Sequence, residues 1–206
     1  MNGESEKILA AFLASAEEEL SGFSRSLSAD TFSAAVDLIL EAKRRGNRLH
    51  ITGIGKPGHV AAYIASLLSS TGSACYFLDG TEAVHGSCGQ LVAGDVVICI
   101  SNSGETAELK ATAAAIRNNE CSLIAVTGNP ESWLAKFCDV TIPAGVSQEG
   151  GPLNRAPRNS VLAEILALQA LSVILQAECG WSPKQYVRCH PGGKLGALRQ
   201  NEIEGT

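Results

Sequence analysis

The chain lacks the features that mark nucleic-acid-binding, secreted and zinc-binding proteins. It carries 16 Lys and Arg against 21 Asp and Glu, a net charge of −5, so it offers no basic face to nucleic acid or to an anionic membrane. The N-terminal segment has no basic stretch followed by an apolar one, which predicts no signal peptide. The seven cysteines are irregularly spaced without a C-x-x-C pair, which predicts no metal site. Cys75, Cys99 and Cys121 lie in or beside apolar runs, which predicts small buried thiols in a reducing cytoplasm.

Long apolar runs, internal repeats, low-complexity tracts and linkers are missing as well. The most apolar segment, Val161–Ala177, is interrupted by Glu164, Gln169, Ser172 and Gln176. We therefore predict a buried helix here, packed under the sheet or into a subunit interface, and no membrane contact.

The spacing of apolar residues changes along the chain, from a helical pattern to short strand-like runs. Apolar residues recur at helical spacing over Ser5–Gly22 and Ser28–Arg45. Five short β-like runs follow, at Arg48–Thr52, Ala74–Leu78, Asp95–Ile100, Ser122–Thr127 and Asp139–Pro143. Helix-length segments separate most of them, at about Gly58–Ser70, Glu105–Asn119 and Glu131–Phe137. This alternation predicts an α/β fold with a parallel sheet that is buried on both faces.

Polar clusters follow each predicted strand. They are GIGKPGH (Gly53–His59), DGTEAVHG (Asp79–Gly86), SNSGET (Ser101–Thr106), GNPES (Gly128–Ser132) and SQEGGPLNRAPRNS (Ser147–Ser160). Because open parallel sheets bind ligands beyond the carboxyl ends of their strands, we expect one crevice at this edge.

The cluster at Ser101–Thr106 lies between a strand and a helix start. Free backbone N–H groups, the positive helix end and three hydroxyls would together bind an anion such as phosphate. Gly104 allows close approach of the backbone. An ordinary helix cap explains the same Ser and Thr residues and stays an alternative.

The first loop also has two interpretations. Gly53, Gly55 and Gly58 fit the pattern G-x-G-x-x-G, and Asp79 stands where a dinucleotide-binding fold places its ribose-binding acid. The alternative gives the loop to Lys56, which would project into the crevice to pair with an anion or polarise a carbonyl. We favour the second, because Lys56 and its neighbouring proline crowd the turn.

Five segments in this order resemble the sugar isomerase (SIS) domain of the arabinose-5-phosphate isomerase family: GIGKPGH, EAVHGSCG, ISNSGETAEL, TGNPESWLAKFCDV and HPGGKLG. The resemblance runs from about residue 5 to 198. It implies a three-layer, flavodoxin-like α/β/α sandwich with a five-stranded parallel sheet, a single SIS domain over 1–206. Within it we expect N-terminal helices over 5–46, the sheet core over 47–143, and a C-terminal loop and helices over 144–206.

The resemblance also implies a function. Family members interconvert D-ribulose 5-phosphate and D-arabinose 5-phosphate through an enediolate, need no organic cofactor and assemble as tetramers. The catalytic residues it implies are Lys56, His85, Glu108, Glu149 and His190. The residues expected to bind the substrate phosphate are Gly55, Ser101, Asn102, Ser103, Gly104 and Thr106.

The roles follow from what aldose–ketose isomerisation requires. Glu149 is expected to be the base, Lys56 to stabilise the enediolate, and Glu108 to orient Lys56 by an ion pair. His85 and His190 are expected to open the sugar ring and move a proton between the two oxygens. One of these histidines is expected from a neighbouring subunit.

Three departures from the family pattern leave the substrate open. The chain stops before the paired CBS domains of longer members, so we expect that regulatory module to be absent. Arg155 and Arg158 stand in a stretch that is usually rich in Ser and Thr, and Pro57 replaces the commoner Ser. The alternatives are an isomerase for another phosphosugar, such as a hexulose 6-phosphate, and a SIS protein that binds or senses sugar phosphates without turnover.

Overall fold

One parallel sheet with helices on both faces forms the fold. The computed structural model describes residues 2–204. Its helices are α1 (Gly3–Ser26), α2 (Ala29–Arg44), α3 (Lys56–Ser70), α4 (Ala107–Asn118), α5 (Trp133–Phe137), α6 (Asn159–Glu178), α7 (Pro183–Cys189) and α8 (Gln200–Glu204). Its strands are β1 (Leu49–Gly53), β2 (Cys75–Phe77), β3 (Val96–Ile100), β4 (Ser122–Thr127) and β5 (Val140–Pro143). Short 3₁₀ helices form at Ala83–His85, Ser87–Gln90 and Lys194–Gly196.

The strand order is β2-β1-β3-β4-β5, and every neighbouring pair is parallel. The chain runs outward from β1 to β2, then crosses back to β3 on the other side of β1. The order therefore reverses between β1 and β3, and the crevice above such a reversal is the usual ligand site of an open α/β sheet. The predicted five-stranded parallel sheet is confirmed.

Alternating strand residues serve two apolar cores. Ile51, Ile98 and Val126 face a core shared with α1, α2, α3 and α6. Val97 and Leu123 face the opposite core, shared with α4 and α5. Because both faces are covered, the strands are apolar at nearly every position, as the sequence predicted.

Helix α6 matches a transmembrane span in length and composition, and it is the one such helix among residues 2–204. In the fold it packs against α3, α1 and α2. Ala163, Ala167, Leu168, Leu171 and Leu175 along one side of it are buried in the core. The predicted buried helix is therefore confirmed.

The helices after α6 lie in the segment 144–206, where the sequence predicted helices without giving their bounds. Ser182 caps α7 by accepting a hydrogen bond from Gln185 N at 3.3 Å, and Gln185 Oε1 accepts one from Ser182 N at 2.9 Å. This capping box, with Pro183 in the first turn, is readable from the sequence SPKQ.

Candidate active site

The loops that follow β1 and β3 lie side by side. In the register of these strands Leu49 is opposite Val96, and Gly53 is opposite Ile100. Ile54 and Ser101 therefore leave the sheet together, at the reversal of strand order. The two clusters that the sequence singled out, around Lys56 and around Ser103, begin at this point.

The β1 loop turns sharply into α3. Gly55 has φ +66° and ψ −128°, a conformation that favours glycine, and it precedes the helix without any side-chain cap. Lys56 is the first residue of the helix and its side chain is exposed. A cleft of about 310 Å³ opens beside the loop, lined by Gly55, His59 and Asp79 among others.

Asp79 forms hydrogen bonds with residues of the turn that follows it. Its Oδ1 accepts hydrogen bonds from Thr81 Oγ1 at 2.7 Å, Thr81 N at 2.9 Å and Glu82 N at 3.1 Å. The bond from the Thr81 hydroxyl is the main cause that lowers the pKa of Asp79. Oδ1 therefore shapes the segment after β2.

Hydrogen bonds among its own residues stabilise the loop Ser101–Thr106, the serine loop. Ser101 is buried, and its Oγ accepts from Gly104 N at 3.1 Å and pairs with Thr106 Oγ1 at 3.2 Å. Gly104 has φ +66°, and a methyl group there would overlap Ser132 Oγ. Asn102 O accepts from Gly128 N at 3.0 Å, which ties the loop to the end of β4.

The outer side of this loop is open for an anion. Thr106 precedes α4 but makes no side-chain cap bond, so the first-turn N–H groups are not capped by it. Ser103 is exposed, and its Oγ accepts from Glu105 N at 3.2 Å, which leaves its proton available. The Ser103 hydroxyl and the first-turn N–H groups of α4 are therefore donors that the Thr106 side chain does not cap.

The acid inside this loop is turned away from the site. Glu105 Oε1 accepts from Trp133 N at 2.7 Å, and Oε2 contacts Lys110 Nζ at 2.5 Å. The Lys110 hydrogen bond is the first cause that lowers the pKa of Glu105. A negative charge in the loop is thus directed to α5 and balanced there.

His85 and Glu108 also lie on the carboxyl edge. His85 ends the 3₁₀ helix after β2, Glu108 is in the first turn of α4, and both side chains are exposed. The segment after β2 is fixed to α4 by Thr112 Oγ1, which donates to Gly80 O at 2.5 Å. The expected ion pair between Glu108 and Lys56 does not form among residues 2–204, because both side chains extend into solvent.

Glu149 is bound to the start of α6. Its Oε2 accepts from Arg158 N at 2.7 Å and from Ser160 N at 3.1 Å. Its own N–H donates to Asn154 Oδ1 at 2.7 Å. The carboxylate therefore sits at the positive end of a long helix, half-buried, on the same edge of the sheet as the other two loops.

Helix α1 holds the loop that carries Glu149. Glu19 accepts hydrogen bonds from both Ser147 N, at 2.8 Å, and the Ser147 hydroxyl. Asn159 Nδ2 donates to Ser15 Oγ at 3.2 Å. A Cβ on Gly150 would lie 2.9 Å from a ring carbon of Phe12, so helix and loop are in close contact.

His190 lies at the opposite end of the molecule. Cys179, at the end of α6, contacts Lys43 Nζ at 3.1 Å, and the following Trp181 covers Gly72, just before β2. Helix α7 follows there, at the amino edge of the sheet, and His190 stacks on Tyr186 with ring centroids 4.1 Å apart. A single chain therefore does not bring His190 to the other predicted residues.

Two buried polar residues at this edge were not predicted as part of the site. Ser132 supports Gly104 and caps α5, and the GNPES cluster already signalled it. Glu164 is buried in α6, and its signal was an acid within the most apolar stretch of the sequence. No three His, Cys, Asp or Glu side chains in the described part of the chain group as metal ligands.

Comparisons with a family model and with curated proteins point to the same family. The family model of the SIS domain matches residues 43–174. The arabinose 5-phosphate isomerase KdsD of Pseudomonas aeruginosa is 41% identical over 175 residues, which are 85% of this chain and 53% of that protein. KdsD of Escherichia coli K12 is 38% identical over 159 residues, 76% of this chain and 48% of that protein. The chain thus spans about half the length of the curated relatives it matches.

A solved structure extends the similarity to three dimensions. An Escherichia coli CFT073 protein in complex with arabinose 5-phosphate superposes with a TM-score of 0.80 at 29% identity. The match covers 93% of this chain and 100% of that one.

Proposed function

The chain belongs to the SIS domain family, and from that premise we propose that it is a phosphosugar aldose–ketose isomerase acting on D-ribulose 5-phosphate and D-arabinose 5-phosphate. The observation that carries the proposal is the pairing of an uncapped serine loop with a helix-bound carboxylate, Glu149, at one edge of the sheet. The relatives named for this reaction and the one bound to arabinose 5-phosphate support the choice of substrate.

The serine loop would bind the phosphate. Ser103 and Thr106 contribute hydroxyl groups, and the start of α4 contributes backbone N–H groups and the positive end of its dipole. Gly55 and Asn102 shape the two loops on either side. This attachment leaves the sugar carbons to the neighbouring groups.

Glu149 would act as the base. In the ketose-to-aldose direction it removes a proton from C1, and the electrons move into a C1–C2 double bond with negative charge on O2. A histidine moves the O1 proton to O2, and Glu149 returns its proton to C2. The ammonium of Lys56 would stabilise the enediolate, and the electrons stay within the substrate, so no cofactor is required.

His190 would reach this chemistry only from a second copy of the chain. It lies at the amino edge of its own sheet, while the other groups lie at the carboxyl edge. The exposed apolar side chains Leu9, Leu13, Leu162 and Val173 on α1 and α6 offer a surface for such an assembly. We propose a homo-oligomer, a tetramer with dihedral symmetry, in the cytoplasm.

The activity is tested with a panel of pentose and hexose phosphates, with aldose–ketose exchange followed by NMR. We expect exchange between ribulose 5-phosphate and arabinose 5-phosphate, with solvent deuterium entering the carbon next to the carbonyl. Exchange of a hexulose 6-phosphate alone would overturn the choice of substrate. Binding without any exchange would indicate a sensor.

The shared site is tested by subunit mixing. Homo-oligomers of Glu149→Gln and of His190→Asn should each be inactive. Oligomers refolded from both should regain activity, because some sites then receive an intact Glu149 and an intact His190. No recovery in verified mixed oligomers would exclude a contribution of His190 across the interface.

A further inference from the structure

Glu164 is a buried carboxyl group without a partner. It lies in α6 with 1% of its surface exposed, and neither of its oxygens has a hydrogen-bond partner among residues 2–204. The other fully buried acid, Asp95, accepts several hydrogen bonds. Buried ionisable groups are normally paired, so an unpaired one in an apolar helix calls for an explanation.

Its position relates it to Glu149. Ser160 lies one helical turn before Glu164, on the same side of α6, and its backbone N–H binds Glu149 Oε2. Ser160 Oγ and Asn159 Oδ1 are also buried without partners. The first two turns of α6 therefore gather the carboxyl groups of Glu149 and Glu164 and two unused polar atoms.

The two carboxyl groups have opposite surroundings. Glu149 is half-buried at a helix N-terminus and accepts two backbone hydrogen bonds. Glu164 has no such donors, so its ionised form is penalised. Burial, and secondly the charge of Glu149, raise the pKa of Glu164 to about 8.

No other described group acts on Glu164 in this way. The helices packed on α6 carry the following charged or titratable side chains: Glu4, Glu6, Lys7, Glu17, Glu18, Glu19 and Arg25 on α1, Asp30, Asp37, Glu41, Lys43 and Arg44 on α2, and Lys56, His59 and Tyr63 on α3. None of them bonds to its oxygens or perturbs its pKa. Glu149 is the charged group that shifts the pKa of Glu164.

We propose that Glu164 is a positioning residue for the base: a neutral carboxyl group that keeps the single negative charge of the pair on Glu149 and sets the alkaline limit of turnover. This inference rests on the proposed isomerase function. During the reaction the pair passes from a charge of minus one to zero when Glu149 takes the substrate proton, and back when the proton is delivered. Glu164 keeps its own proton throughout.

Ionisation of Glu164 would place a second charge beside the base. The enediolate that forms there is also an anion, so the added charge opposes it and turnover declines. Gln at this position has nearly the same shape and cannot ionise. The pH profile of kcat therefore separates this role from a merely structural one.

The first experiment compares kcat from pH 6 to 10 for the wild type, Glu164→Gln and the control Glu178→Gln, an exposed acid at the end of the same helix. We expect the wild type and the control to decline above a midpoint near 8, approaching about tenfold per pH unit. The Glu164→Gln variant should remain active at high pH. The same alkaline decline in that variant would overturn the proposal, as would loss of turnover at every pH in a folded variant.

A second experiment does not depend on turnover. The carboxyl ¹³C resonance of Glu164 is followed during a pH titration and assigned by its loss in Glu164→Gln or, should that variant not fold, in Glu164→Met. We expect a midpoint near 8 that moves to lower pH in Glu149→Gln, because the neighbouring charge is gone. Should no phosphosugar turn over while this coupling is present, the proposed function fails and the carboxyl pair stands. A midpoint in the ordinary range of a glutamate overturns the inference whatever the activity.

Discussion

Polar groups at the two edges of the sheet differ in whether the fold supplies their hydrogen-bond partners. At the amino edge, Asp95 is completely buried at the start of β3 and accepts from Arg48 N at 2.8 Å, Val92 N at 3.0 Å and His50 Nε2 at 3.1 Å. The bonds from Arg48 and His50 join the β1 segment to the start of β3, and the bond from Val92 fixes the turn that leads into β3. The polar residues there stabilise the scaffold, and His50, buried against Asp95, is one of them.

At the carboxyl edge the polar groups are left with free bonding capacity. Lys56 and His85 are exposed and form no ion pair among residues 2–204, and Thr106 leaves the start of α4 uncapped. The comparison teaches that polarity alone does not mark a site. A site is marked by polar groups that have no partner within the fold and that lie together where the strand order reverses.

The strongest test of this contrast is Glu149→Gln. It keeps the shape of the side chain and removes the base, so kcat should fall by about 10²–10⁴. Substrate binding should survive, because the serine loop and Lys56 hold the phosphosugar independently. The direct measurement is solvent deuterium exchange at the carbon next to the carbonyl, and exchange at the wild-type rate would pass the role to a histidine.

At the opposite edge, Asp95→Ala should cost stability. It leaves two backbone N–H groups and His50 buried without their partner, so we expect the free energy of unfolding in urea to drop by about 3–5 kcal/mol. Asp139→Ala is the matched control, because this half-exposed acid also binds a backbone N–H, that of Leu123 at 2.7 Å. Equal losses in the two variants would contradict the distinction between the buried centre and an ordinary surface acid.

A smaller effect is expected for Ser103→Ala. The hydroxyl would donate to the substrate phosphate, so its loss should weaken binding by about 1–3 kcal/mol, the range for a hydrogen bond to a charged group. Calorimetric titration with arabinose 5-phosphate measures this change, and the melting temperature of the free protein should stay the same. Unchanged affinity would remove Ser103 from the phosphate site.

The smallest effect concerns acid sensitivity at the amino edge. Burial lowers the pKa of His50 below its usual 6.5 despite the opposing bond to Asp95. Its neutral form is therefore favoured by folding, and the stability it contributes is lost as pH falls below 6.5. We expect the urea midpoint to decrease from pH 7 to pH 5, and less steeply in His50→Gln. An unchanged slope in that variant would assign the acid sensitivity to other groups.

Much of the fold was predictable because the signals were local. Ser122–Thr127 forms the predicted strand residue for residue, and the other strands differ only at their ends. Helix α3 begins at Lys56, two residues before the predicted start, because Pro57 fits the first turn of a helix. The position of the serine loop followed from the rule for parallel sheets.

The remaining features depend on tertiary contacts that no local pattern specifies. The sequence showed HPGG as a motif, but only the packing of Trp181 on Gly72 indicates that His190 lies away from the other residues. Glu164 read as an interruption in an apolar run, because its relation to Glu149 arises where a loop returns to the start of α6. The exposed residues Lys56 and Glu108 show the converse, since charges of opposite sign at the starts of α3 and α4 do not form an ion pair.

Helix α1 hydrogen-bonds to the loop that carries Glu149, so the position of this carboxylate depends on when α1 docks during folding. Asn159 and Ser15 are 144 residues apart, and Ser147 and Glu19 are 128 apart. Contacts over such separations form late, since most of the chain must be ordered first. Undocking α1 would break them without separating any strands of the sheet, so we expect this region to open before the sheet does. Amide exchange at Glu149 and Gly150 should therefore report the docking of a helix that contributes no residue to the proposed chemistry, and a bulky fusion at the N-terminus should lower the proposed isomerase activity without changing the fold.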